Sequence, residues 1–165
     1  AGMQLYPEYI SRKFDTDNIA VNCMKNIIDD IHAPLQAGES MLTILADHGK
    51  RMYLLDLLLP DAKEEIKLGY TSTQLKAVKK SEGFIWNYIN EHNLLFEKDL
   101  LKMRSFVTDG PSTDELGWGS PGFISLYTGR QLIRAYMKKH PATSLNELLA
   151  LDANKILSGA GYKPR

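Results

Sequence analysis

Two ionisable residues stand where a helix would bury them, His48 and Glu82. Met41, Ile44, Leu45, His48, Met52, Leu55 and Leu59 recur mostly three or four apart, the stripe of one helix face. Leu75, Val78, Glu82, Ile85 and Ile89 make a second stripe of the same kind. A buried polar group without a partner costs about 1–3 kcal/mol, and a bare charge costs more. The economical arrangement has the two helices facing one another, with His48 and Glu82 hydrogen-bonded directly or through a water or a metal. Such a pair either holds a helical core together or takes part in chemistry, and the chemistry it suggests is that of a metal site.

A zinc-hydrolase helix carries histidines at i and i+4, with a glutamate base after the first. In His48-Gly49-Lys50-Arg51-Met52 the first ligand position is filled, a thioether replaces the second imidazole, and Gly49 removes the base. Glu82 would occupy a third-ligand position. Two ligands without a base assign no catalytic residue, and His48 and Glu82 stay as candidate metal ligands only. No cofactor is expected, zinc being the alternative. His32 and His140 lie beside prolines and His92 at a helix end, positions suited to surface or capping roles. The lone Cys23 sits in an amphipathic stretch with no evident base, and a single cysteine can form no disulfide within the chain. Gly117-Trp118-Gly119 lacks the spacing of a phosphate-binding loop. Arg130 and Arg134, one helical turn apart, could clamp a carboxylate or phosphate, although acids of neighbouring helices are their more ordinary partners.

Helices must position these residues. A cap at Asp15-Thr16-Asp17 predicts a first helix over 17–32, stopped by Ala33-Pro34, and 41–59 predicts a second, ended by Pro60. The charged run 61–67 predicts a short helix closing at Gly69, and Thr71 or Ser72 caps a fourth that carries Glu82 and continues through Ile89. The mixed segment 94–107 holds one short helix, followed by a long loop over 108–120. Ser120 and Pro121 suit the cap and first residue of a fifth helix running through Met137. Apolar residues surround this helix, which implies a central position, and Gly122 and Gly129 on one face of it imply close packing. Ser144 and Asp152 cap a final pair, about 144–151 and 152–158. No strand pattern and no internal repeat emerge.

With 165 residues, 44% of them hydrophobic and 24% charged, the chain reads as one mainly α, multi-helix domain over 1–165, able to bury a core without staples. Twenty basic residues balance twenty acidic ones, so no net field draws in nucleic acid or an anionic membrane. The longest apolar run, 53–59, is interrupted by Asp56 and falls far below the roughly 20 residues of a membrane span. Ala1-Gly2-Met3 has neither the basic nor the apolar region of a signal peptide.

Several blocks, taken in order, resemble the gliding-motility lipoprotein B (GldB) family of Bacteroidetes. They are Tyr6-Pro7-Glu8-Tyr9-Ile10; His48 through Asp56 with Leu59-Pro60; Gly69-Tyr70-Thr71; Glu82 through Tyr88; Ser120-Pro121-Gly122; Gly129 through Met137; and Ser158 through Pro164. Together they span nearly the whole chain. The resemblance implies the C-terminal part of a longer lipoprotein in the periplasm or at the outer membrane, held there by an N-terminal lipid anchor not in this chain. It further implies kinship with zincin-like predicted metallopeptidases, hence a zincin-like helical arrangement with a degenerate active site. In the gliding branch a pattern met here as Gly49, Lys50 and Tyr53 replaces the zinc ligands. Phe123, Ile124 and Ser125 depart from the Arg- and Gly-rich run the resemblance leads one to expect.

The leading expectation is therefore a non-catalytic envelope domain, a pseudoenzyme that contacts other envelope proteins in a gliding or secretion-type assembly. One rival is an atypical zinc-dependent metallopeptidase using His48 and Glu82. Another is a small-ligand module built on Arg130 and Arg134 beside the 108–120 loop.

Overall fold

The structure, a computed structural model, describes residues 6–117 and 119–164. The chain start at Ala1-Gly2-Met3 and Trp118 of the glycine-flanked triplet lie outside the described residues.

Ten α-helices follow one another, with short 3-10 turns between some of them and no strand among the described residues. They are α1 (Glu8–Ser11), α2 (Ile19–Ile31), α3 (Met41–Leu58), α4 (Glu64–Leu68), α5 (Ser72–Lys80), α6 (Glu82–Glu91), α7 (Leu100–Val107), α8 (Ile124–Lys139), α9 (Leu145–Ala150) and α10 (Ala153–Ala160). Local chemistry sets most of their ends. Thr71 and Ser144 each make a full capping box, with Gln74 and Glu147, at the starts of α5 and α9. Ser40 and Asp152 accept from backbone N–H groups at the starts of α3 and α10, and Gly69, at φ +73°, ends α4 in the left-handed region.

The centre is the crossing of α3 and α8. Each buries residues around much of its circumference: Leu42, Leu45, Met52 and Leu55 on α3, and Ile124, Tyr127, Leu132 and Ile133 on α8. A Cβ on Gly49 would collide with the Gly129 carbonyl, and one on Gly129 with the Leu45 carbonyl, so the two backbones meet where neither bears a side chain. Helix α10 packs on both, while α2 and α7 flank α3.

Three expectations are corrected. The single helix from Thr71 through Ile89 is two, because the Ser81 N–H turns back to both Ala77 O and Val78 O and α6 starts afresh at Glu82. Ser120 and Pro121 do not open the fifth helix: α8 begins at Ile124, after Phe123 at φ +60°. Gly122 accordingly shares no helix face with Gly129. Its backbone lies against the Gly110 carbonyl, where a Cβ would clash, and this contact keeps the segment ahead of Phe123 out of the helix. The segment 94–107 holds a 3-10 turn, Leu94–Phe96, before α7.

Candidate functional site

A cleft of about 580 Å³ opens beside His48. Its aliphatic wall comes from Ile28 of α2, Met52 and Leu55 of α3, Leu100 and Val107 of α7, and Leu126 of α8. Lys25, Asp29, Asp47 and Arg51 supply the polar rim. The position that a zinc-hydrolase helix gives to its second histidine is thus part of a greasy wall, Met52 being 2% exposed.

His48 and Glu82 do not meet. His48 Nδ1 shares a 2.8 Å hydrogen bond with Ser125 Oγ, and its ring stands edge-on to Phe123 at 5.1 Å between centroids. Glu82 accepts instead from Tyr127 Oη at 2.6 Å, Gln131 Nε2 at 3.0 Å and Tyr162 Oη at 2.6 Å. The reason is α8, which lies between them. Ser125 and Tyr127 are two residues apart, roughly 200° around a helix, so they serve opposite sides. Among the described residues no three His, Cys, Asp or Glu side chains gather in a way that could hold a metal ion.

Phe123 is one of two non-glycine residues with positive φ among those described, and three contacts hold it there. Its ring meets His48, its carbonyl accepts from Tyr70 Oη at 3.2 Å, and Gly122 before it is pinned on Gly110. Together with the Ser125 bond, this leaves His48 Nε2 as the imidazole's one atom for other partners, in a ring that lines the cleft.

Burial pushes His48 down from 6.5 to about 4, against the opposing pull of the Asp47 carboxylate. The neutral ring is the native form, and the unfolded chain takes up the proton first. Stability is therefore whole above pH 6.5 and falls as the pH drops toward about 4. Between about pH 7 and pH 4.5 the wild type should lose roughly 2 kcal/mol more than His48→Gln, measured by urea unfolding at both pH values. An equal loss in the two proteins would place the imidazole in water.

The other charged candidates are engaged elsewhere. Lys50, 7% exposed, donates to Leu149 O at 2.9 Å and Leu151 O at 2.7 Å, a cation on carbonyls at the C-terminal end of α9. Arg130, 5% exposed, makes a fork of 2.7 and 2.9 Å on Asp56 and reaches Glu64 at 2.5 Å. Lys67 Nζ adds a 2.9 Å bond to Asp56, and Lys79 pairs with Glu64. Arg134 is exposed and has no part in this network. The arginine clamp thus resolves into its more ordinary form, Arg130 paired with acids of neighbouring helices.

At the cleft rim Arg51 donates to Asp47 at 2.7 Å, Asp29 at 2.5 Å and the His32 carbonyl at 2.7 Å, fastening the end of α2 to α3. His32 Nε2 lies 2.8 Å from the other Asp47 oxygen, in ion-pair range though poorly aligned for a hydrogen bond. Sequence reasoning passed over Lys25, Asp47, Arg51 and Ser125. The signal for Lys25 was its spacing: it stands four after Val21 and three before Ile28, both buried, so the helix period carries it to the buried side of α2.

No curated protein and no solved structure matches the chain. A family model does, over residues 2–164, the one described as Gliding motility protein GldB, and the chain belongs to that family.

Proposed function

We propose that this chain is the globular part of a lipid-anchored gliding-motility protein that acts by contact with other envelope proteins and performs no hydrolysis. The observation that carries the reading is the outer face of α2. Ile19, Ile27 and Ile31 are 60%, 42% and 54% exposed, and with exposed Cys23 they recur every four residues along the helix. Steps of four drift only about 40° around a helix, so the four side chains form one inclined apolar stripe. Contiguous exposed apolar surface of this kind marks protein contact sites. The absence of a base at Gly49, and the separation of His48 from Glu82 by α8, also favour contact over catalysis.

The test replaces Ile27 and Ile31 with lysine in a gliding host that carries the variant as its only copy. The double variant should melt within a few degrees of the wild type, since both side chains already face water, and gliding should be lost. Normal gliding by the folded variant would overturn the role of this face. Hydrolysis of a peptide library by the purified protein, abolished in Glu82→Gln, would overturn the non-catalytic reading.

A further inference from the structure

The cleft beside His48 carries a chemistry of its own, on the side of α2 away from the isoleucine stripe. Its charges are almost all accounted for within the protein. Arg51 donates through all three guanidinium nitrogens to Asp47, Asp29 and the His32 carbonyl, which commits both rim carboxylates as well. Lys25 is different: it lines the cleft, is only partly exposed, and has no carboxylate within ion-pair distance among the described residues. The nearby Lys13 and Asp109 are joined to each other at 2.6 Å. A half-buried ammonium beside a wall of Ile28, Met52, Leu55, Leu100 and Leu126 calls for a single negative charge attached to an aliphatic body.

We infer that the cleft binds a medium-chain aliphatic monocarboxylate, with its carboxylate on the Lys25 ammonium and its chain along the apolar wall. The class follows from what the lining can and cannot satisfy. A second negative charge would meet only Arg51, already shared between two carboxylates. A peptide would bring many backbone N–H and C=O groups to a wall of Ile, Leu, Val and Met, with few uncharged polar side chains, Gln36 and Thr108 among them, to meet them. A saturated chain brings none, and the volume of about 580 Å³ falls in the range of small-ligand sites. Burial and the Lys13 charge lower Lys25 to about 8, and a carboxylate beside it would return the ammonium to full charge, giving the anion an advantage over a neutral chain.

The experiment is calorimetric titration of the purified chain with decanoate, decanol and decyltrimethylammonium, each below its micellar concentration. Decanoate should bind one to one and at least about tenfold tighter than either of the others. Lys25→Met should remove that tenfold preference and leave decanol binding as it was, which a general loss of structure would not do. Leu100→Trp changes a side chain already 54% exposed at the mouth and should block decanoate and decanol alike. No decanoate binding, equal binding of decanoate and decanol, or an undiminished preference in Lys25→Met would each overturn the assignment.

Discussion

Gly129→Ala is expected to destabilise the protein by about 3 kcal/mol or more, read as a fall in the urea midpoint at unchanged slope. On an open helix surface the same change would stabilise by roughly 1 kcal/mol, because alanine is the better helix former. The sign reverses here because the new Cβ would fall on the Leu45 carbonyl of α3, a backbone atom that no rotamer change can move aside. To make room, α3 and α8 must separate, and every contact along the central crossing loosens with them. Gly49→Ala should act alike, since its Cβ meets the Gly129 carbonyl and Ile133 Cγ1 at 2.6 Å. Both changes force the same separation, so the double variant should fall well short of the sum. A Gly129→Ala protein as stable as the wild type would show that the helices do not cross this closely.

The second large effect is expected at Arg130. Removing it by Arg130→Met leaves half-buried Asp56 with Lys67 alone and Glu64 with Lys79 alone, and the loss of the charged hydrogen bonds of the fork should cost about 2–3 kcal/mol. Burial alone would raise the Asp56 carboxyl; the hydrogen bonds from Arg130 and Lys67 outweigh it and hold the group below its usual range. This stability is present above the unfolded carboxyl's pKa and is lost as the pH falls through the lower native one. Without the arginine the acid branch should flatten, since less of the shift remains to be lost. Asp56→Asn should cost less in the Arg130→Met background than in the wild type, what remains being the loss of the carboxylate partner of buried Lys67, and a cycle of the four proteins should return a coupling of about 2–3 kcal/mol. Additive effects would reduce the fork to a surface pair, worth about 0–1 kcal/mol.

What could be read in the sequence was local. Thr71, Ser144 and Asp152 cap the helices that their residue types and following positions indicated, because a cap is settled within four residues. Apart from the break at Ser81, which is a local turn, the failures share one cause: they required a partner far away in the chain. Ser120-Pro121 has the look of a helix start, yet Gly110 and Tyr70 decide where Phe123 goes. Glu82 and His48 are both partly buried in the structure, but periodicity reports that a face is covered and not what covers it. One clue was at hand. A helix apolar on all sides has to sit between others, and α8, so read, is the element that separates His48 from Glu82 and gives each its own partner. The cleft was illegible for the same reason, being shared by α2, α3, α7 and α8.

The dependence of α3 on α8 also governs the order in which this protein can be made. A nascent chain emerges N-terminus first, and α3 is complete long before Gly129, its counterpart at the crossing, has been added. The Glu82 carboxylate waits longer still, since one of its three donors, Tyr162, lies beyond α8 in the chain. Helices of this kind can form early but cannot bury themselves, so Leu42, Leu45 and Met52 stay open to misplaced contacts until α8 has been added. Helical proteins with neighbouring partners escape this delay, and this one should fold more slowly than its helix content alone would indicate.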